Sequence, residues 1–127
     1  MDLKLIDFGY AENKDIYQLT SFCGTEFYMA PEILEREIYN GKHIDIFSLG
    51  ITIFQIVSGK LPFEEATQED QIYSQLSSGD KEAWYKSVDS ENSLSENFKS
   101  LIASMLDFDG NKRPTIKQIR ESPWMTE

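Results

Sequence analysis

The side chains that could take part in chemistry gather near the start of this sequence. Asp7-Phe8-Gly9 follows an apolar run, and Ala30-Pro31-Glu32 places a second carboxylate 25 positions after the first. Hydroxyl groups and a thiol lie between the two tripeptides, on Thr20, Ser21, Cys23 and Thr25. Taken singly, each group has an ordinary interpretation: an aspartate at the corner of a strand and a turn, solvated loop hydroxyls, a turn threonine and a small packed cysteine.

The elements that position these groups follow from the hydrophobic pattern. Leu3-Lys4-Leu5-Ile6 predicts a short strand that ends before Gly9. Residues 10–30 show no helical period and predict a long ordered loop, which in a compact domain is usually functional or disordered. Pro31-Glu32-Ile33-Leu34 predicts a short helix, because proline is tolerated in the first turn and glutamate favours the positive helix start.

Residues 43–58 are apolar on nearly every side, which predicts a buried helix closed by Gly59. Their β-branched residues also fit a pair of strands, and periodicity does not decide between the two, but the length favours a helix. The clearest amphipathic helix has its apolar residues at Phe98, Leu101, Ile102, Met105 and Leu106.

Several shorter signals predict where the other helices begin and end. Capping boxes are predicted at residues 67–70 and 115–118, a cap at Asp80, and a helix end at Pro123. The resulting chain has one strand followed by helices. Because a lone strand cannot satisfy its own ladder hydrogen bonds, we expect its pairing partner to lie outside this chain.

Composition restricts the class of protein. The 127 residues suit one domain, and the net charge of −10 argues against nucleic acid or an anionic membrane as the main partner. The single cysteine, Cys23, cannot form an internal disulfide, and residues 1–4 do not begin a signal peptide. The apolar stretch from Ile44 to Val57 is too short and too polar to span a bilayer. We therefore expect a cytoplasmic protein.

Taken together and in order, the motifs resemble those of the eukaryotic protein serine/threonine kinase domain. Asp7-Phe8-Gly9 and Ala30-Pro31-Glu32 bracket the activation segment of that family. Further matching segments are Cys23-Gly24-Thr25, Asp45–Gly50, Gly59–Phe63, Arg113-Pro114-Thr115 and Pro123-Trp124-Met125. The loop and the final Pro-Trp are similar to those of calcium/calmodulin-dependent or related kinases.

The resemblance implies a mainly α, kinase-like C-lobe portion: one N-terminal strand, a long activation loop and a helical bundle. Residues 1–127 would be a partial kinase domain, with the activation segment at 7–32 and the helical C-lobe at 33–127. The N-lobe and the catalytic loop are expected to be absent from this chain. In the complete domain the cofactors would be ATP and Mg²⁺, and the partner a protein substrate.

The resemblance also implies roles for single residues in nucleotide binding. Asp7 would bind the Mg²⁺ that bridges the ATP phosphates, which suits a carboxylate because Mg²⁺ prefers oxygen ligands. Phe8 would set the active or inactive position of Asp7. Gly9 would give the segment freedom to pivot.

In the loop, the resemblance makes Ser21 a candidate for an activating phosphate, with Thr20 as the adjacent candidate. Two unmodified, solvated hydroxyls are the alternative. Thr25 matches the threonine that helps to position the substrate hydroxyl, and a plain turn residue is its alternative.

Three further residues would have structural roles. Glu32 and Arg113 match a pair that forms a buried salt bridge in the family. Asp45, expected to be buried among apolar neighbours, would accept backbone hydrogen bonds from a catalytic loop that this chain does not contain.

The sequence also departs from a complete kinase. It contains no Gly-x-Gly-x-x-Gly, and no catalytic-loop aspartate stands before Asp7. His43-Ile44-Asp45 is not that loop, because it follows Ala-Pro-Glu and has Gly50 where asparagine is required. We therefore expect no catalytic residue in this chain and no kinase activity from it alone.

Two functions fit these observations. The first is part of an active serine/threonine kinase, and the second is a non-catalytic kinase-homology module that binds a protein partner. An acidic cluster at Glu64, Glu65, Glu69 and Asp70 could attract basic substrate residues, but a solvated acidic surface is the preferred explanation.

Overall fold

The computed structural model describes residues 2–13 and 16–127, and these residues are mainly helical. The α-helices are α1 (Pro31–Leu34), α2 (Gly41–Ser58), α3 (Gln71–Ser77), α4 (Lys81–Val88), α5 (Glu96–Met105) and α6 (Ile116–Arg120). Short 3-10 turns cover Glu26–Tyr28, Gly110–Lys112 and Pro123–Thr126. The mainly α class and the predicted helical bundle are therefore confirmed.

The long helix α2 is the central element of the core. The Asn40 side chain accepts a hydrogen bond from the Lys42 amide at its start, and Gly59 closes it in the left-handed conformation at φ 75°. Contacts with α5, whose apolar side chains are nearly all buried, hold it in place. The predicted helix and its glycine cap are confirmed, and the strand pair is excluded.

The prediction that α2 is buried on every side is wrong. Phe47, Ile51 and Phe54 are fully buried, whereas Ile56 is 73% and Val57 44% exposed. The all-round apolar pattern showed that the helix could be covered, but it could not show which faces have a neighbour within these residues.

Aromatic side chains fill the core between the helices. Phe54 packs against Trp84 and Phe98, with ring centres 6.2 and 6.1 Å apart. At the other end, the rings of Phe63 and Tyr73 lie 4.8 Å apart. Burying rings of this size dominates core energetics, at roughly 1.5–3 kcal/mol for a fully buried phenylalanine side chain.

The predicted N-terminal strand is not formed. Residues 2–8 have no regular secondary structure, and Leu3, Leu5 and Ile6 are more than 80% exposed, at 92%, 84% and 82%. A strand needs a neighbouring strand to satisfy its backbone N–H and C=O groups, and none of the described residues form one beside this segment. Among all the described residues, β-pairing is limited to one antiparallel bridge between Leu19 and Tyr39.

Most predicted helix ends are confirmed, and two are corrected. The Asp80 side chain caps α4, and Thr115 and Gln118 form the predicted capping box of α6. The box at residues 67–70 is wrong: Asp70 itself caps α3, and its carboxylate also accepts the amides of Glu64 and Glu65. Helix α6 ends at Arg120, before Pro123.

Within the part of the chain that the structure describes, no helix combines the length and apolar character needed to cross a membrane.

Candidate functional site

The loop between Ile16 and Ala30 carries most of the predicted functional residues, and it is held at both ends. A small cluster formed by Leu19, Met29, Ile33 and Tyr39 packs the loop against α1. Near the loop's end, the Tyr28 hydroxyl donates to Gln55 Oε1 at 2.7 Å, which ties the 3-10 turn to α2. The loop therefore has a defined path across the helical core.

The hydroxyl-bearing residues of this loop differ in exposure. Ser21 is half-buried, and its carbonyl accepts a hydrogen bond from the Tyr39 hydroxyl at 2.7 Å. Thr20 and Thr25 are exposed, and Thr25 begins the turn Glu26–Tyr28 without a side-chain capping bond. Cys23 is a half-buried free thiol. Thr20 and Thr25 thus present hydroxyls to solvent.

Glu32 and Arg113, 81 positions apart, form a two-pronged ion pair. Arg113 Nη1 and Nη2 donate to the two Glu32 carboxylate oxygens at 2.7 and 2.8 Å. The Arg113 side chain is fully buried and that of Glu32 is 14% exposed. Removing one partner of such a pair leaves an unpaired buried charge and costs about 3–5 kcal/mol.

The remaining donors of Arg113 are also satisfied. Its Nε donates to the Asp107 carbonyl at 2.8 Å and its Nη1 to the His43 carbonyl at 3.0 Å. The guanidinium also lies 4.8 Å from the centre of the Phe47 ring. A single side chain therefore joins α1, the start of α2 and the segment between α5 and α6.

The nucleotide-binding residues predicted at Asp7, Phe8 and Gly9 are exposed. Asp7 has φ 61°, in the left-handed region, and its Oδ1 accepts the Gly9 amide at 3.4 Å. Among the described residues, no hydrogen bond or ion pair joins Asp7 to a predicted site residue outside this tripeptide. The structure thus leaves this tripeptide separate from the Glu32–Arg113 pair.

These residues alone do not fit a magnesium ion. Mg²⁺ requires near-octahedral oxygen coordination, and one carboxylate supplies only a small part of it. In residues 2–13 and 16–127, no group of three or more His, Cys, Asp or Glu side chains is placed to hold a metal. We therefore derive no catalytic step through the metal.

The prediction that Asp45 is buried is wrong. Asp45 is exposed on α2, whereas the next two residues, Ile46 and Phe47, are buried. Partial desolvation still raises the pKa of its carboxyl above the usual value. No charged partner of Asp45 is found in the described part of the chain.

Sequence reasoning missed several residues that build this site. Tyr39, Arg36 and Gln55 all position the loop, but they lie outside the motifs that carried the resemblance. Only Tyr39 gave a signal in the sequence, because it is an aromatic residue in a short, mostly polar connection between two predicted helices. A tyrosine buried at such a place usually finds a hydrogen-bond partner for its hydroxyl.

Comparison with known proteins identifies the family. The family model described as Protein kinase domain matches residues 1–125. The chain therefore belongs to the protein kinase domain family, as its motifs predicted.

Its relatives include kinases from distant organisms. Protein kinase kin1 and serine/threonine-protein kinase ppk25 of Schizosaccharomyces pombe are 35% and 34% identical to it, over 98% and 97% of the chain. Serine/threonine-protein kinase SIK2 of Gallus gallus is 36% identical over 98%. The chain spans only 13%, 27% and 15% of the lengths of these three relatives, respectively.

Proposed function

We propose that this chain is the substrate-facing part of a protein serine/threonine kinase, which transfers the γ-phosphoryl group of ATP to protein hydroxyls. The observation that carries the proposal is the loop Ile16–Ala30, fixed on the helical core with the Thr25 hydroxyl exposed. Phosphoryl transfer depends on positioning. A rigid loop beside a helical platform is suited to hold a peptide substrate.

The proposal assigns residues 7–32 to the activation segment and residues 33–127 to the helical C-lobe. Thr25 positions the substrate hydroxyl, while Ser21 and Thr20 are candidate phosphate acceptors. Asp7 would supply one carboxylate oxygen to Mg²⁺ in a complete domain, whose other residues would have to supply the remaining ligands. Glu32 and Arg113 hold the platform together.

A peptide-phosphorylation assay tests this function. The residues of this chain would be joined to the upstream part of a relative's kinase domain, and Thr25→Ala would be compared with the unmodified chimera. We expect kcat/KM to fall about ten-fold, the effect of losing one hydrogen bond to a charged group. Ser58→Ala, outside the loop, is the control and should leave activity unchanged.

Two results would contradict the proposal. One is a chimera that folds and binds ATP but phosphorylates no peptide. The other is an equal loss of activity in Thr25→Ala and Ser58→Ala, because that would deny the loop a specific role in positioning substrate.

The exposed apolar residues favour a second function, a non-catalytic module that binds a protein partner. Leu3, Leu5 and Ile6 on the N-terminal segment and Ile56 on α2 are largely exposed. Apolar surface of this kind marks interaction sites in soluble proteins. A folded chimera without ATP binding would favour this alternative.

A further inference from the structure

Residues 36–41, which lead from the end of α1 into the first residue of α2, lie against residues 16–22 of the loop and hold their backbone. The amide of Leu19 donates to the Tyr39 carbonyl at 3.0 Å, and the amide of Tyr39 donates back to the Leu19 carbonyl at 2.9 Å. The amide of Gly41 donates to the Ile16 carbonyl at 2.7 Å. The loop is thus attached by main-chain hydrogen bonds at two points.

Side chains of the same segment hold the next two loop residues. The buried Tyr39 directs its hydroxyl to the Ser21 carbonyl at 2.7 Å, and this fixes the peptide group that joins Ser21 to Phe22. The Arg36 guanidinium lies 4.4 Å from the centre of the Phe22 ring. These contacts continue the backbone attachment towards the centre of the loop.

Exposure along the loop shows that it lies on the core as an extended chain. Leu19 is buried, Thr20 exposed, Ser21 half-buried and Phe22 exposed, in the alternation expected when successive side chains point to opposite sides. The inward side meets the cluster around Tyr39, and the outward ring of Phe22 meets Arg36. Both sides of the loop therefore have partners on other segments.

The backbone of Arg36 is held in an unfavourable conformation. Its φ of 57° lies in the left-handed region, which residues other than glycine seldom adopt. Such a conformation persists when the surrounding contacts enforce it. Here the Arg36 amide donates to the Ile33 carbonyl at 3.0 Å and the Glu37 amide donates to the Glu32 carbonyl at 2.9 Å, so the left-handed residue belongs to the C-terminal end of α1 and directs the chain towards Tyr39.

We propose that residues 36–41 form a clamp that orders residues 16–22 in the unmodified chain. Tyr39 and Arg36 are its positioning residues, and no phosphate on Thr20 or Ser21 is needed for this order. The functional consequence rests on the proposed function: a loop ordered in advance can present the turn Glu26–Tyr28 to a substrate without an activating modification.

Amide hydrogen exchange in the 127-residue chain tests the clamp directly. The reporters are the amides of Leu19, Tyr39 and Gly41, and the unfolding midpoint of each variant separates local opening from global unfolding. Tyr39→Phe keeps the ring in the core and removes only the hydroxyl. We expect exchange of the Leu19 amide to become about five-fold faster, the effect of one hydrogen bond.

The matched control is Tyr28→Phe, which removes the hydroxyl that reaches Gln55 at the other end of the loop. It should leave exchange at Leu19 unchanged. Arg36→Ala, which removes an exposed cation–π contact, should accelerate it about two- to five-fold. If the Leu19 amide exchanged at the same rate in Tyr39→Phe and in the unmodified chain, Tyr39 would not be a positioning residue of the clamp.

The independence from phosphate is tested with Thr20→Glu and Ser21→Glu, which add negative charge at the two candidate acceptors. We expect protection at Leu19 and Gly41 to match that of the unmodified chain. The proposal would be overturned if the Leu19 and Gly41 amides were unprotected in the unmodified chain and became protected in Thr20→Glu or Ser21→Glu. These measurements require no catalysis, so their failure is distinct from a failure of the peptide-phosphorylation assay.

Discussion

Arg113 shows how one residue can hold distant parts of the chain together. Its guanidinium is fully buried and donates to Glu32 and to the carbonyls of Asp107 and His43. The sequence paired it with Glu32 only through family resemblance, because no local pattern connects residues 81 positions apart. The carbonyl partners could not be predicted, since backbone groups carry no residue signature.

Glu32→Gln tests the buried ion pair. We expect the free energy of unfolding to fall by about 3–5 kcal/mol, because the charge of Arg113 then remains buried without a counter-ion. Denaturant unfolding measures this loss. Lys117→Met is the control, since it removes an exposed pair with Glu121 and should change stability by less than about 1 kcal/mol. Similar small losses in both variants would contradict the buried-pair account.

Asp89 gives a prediction about pH. Burial by itself would raise the pKa of Asp89, but hydrogen bonds from Leu94 and Ser93 and the charge of Lys99 hold it below its usual value of 3.8. A carboxyl with a lowered folded-state pKa stabilises the fold above its unfolded pKa, and this contribution is lost as the pH falls through the folded-state pKa.

We therefore expect unfolding free energy to fall as the pH drops below about 4, and Asp89→Asn to flatten that dependence. Urea unfolding at a series of pH values measures both curves. Asp2→Asn, at an exposed residue, is the control and should keep the slope of the unmodified chain. Parallel curves for Asp89→Asn and the unmodified chain would exclude this role.

At the scale of the elements, features that depend on residues close in sequence were predicted well, and features that depend on distant residues were predicted poorly. Helix α5, the cap at Asp80 and the capping box at Thr115 depend on residues close in sequence, and all three are confirmed. The strand over residues 3–6 and the full burial of α2 depend on neighbours that the sequence pattern cannot supply, and both predictions are wrong. The clamp on the loop is non-local in the same way.

Substitution of Gly50 and of Gly59 by alanine should destabilise the fold for two different reasons, overpacking at Gly50 and backbone strain at Gly59. A Cβ on Gly50 would lie 3.0 Å from Met105 Cβ and 3.1 Å from Leu106 Cδ2, whereas one on Gly59 would meet nothing within 4 Å. Gly50→Ala should cost about 1–3 kcal/mol by overpacking against α5, partly offset by about 1 kcal/mol of helix propensity.

Gly59→Ala should cost about 1 kcal/mol through its left-handed φ alone. The two mechanisms are distinguished in a second background, Leu106→Ala, which removes the Leu106 Cγ and Cδ2 atoms that would lie 3.5 and 3.1 Å from the added Cβ. The cost of Gly50→Ala should decrease there, while the cost of Gly59→Ala should stay the same. Equal changes for both glycines in thermal or urea unfolding would contradict the packing argument.

For the whole molecule, the motif pattern indicated the family, and the structure adds how the loop Ile16–Ala30 is held on the helical core. The motifs predicted the kinase resemblance because they combine residue type with fixed order, and residues 1–125 match the family. The exposed Asp7 and the exposed sides of the N-terminal segment and α2 indicate that ATP binding needs more than these residues. We propose that this chain helps to position substrate and does not bind nucleotide by itself.

Titration of the 127-residue chain with Mg·ATP by isothermal calorimetry tests this proposal, with circular dichroism on the same sample to establish that the chain is folded. We expect cooperative unfolding and no saturable heat of binding. Saturable binding that disappears in Asp7→Asn would contradict the proposal, because Asp7 would then belong to a nucleotide site complete within this chain.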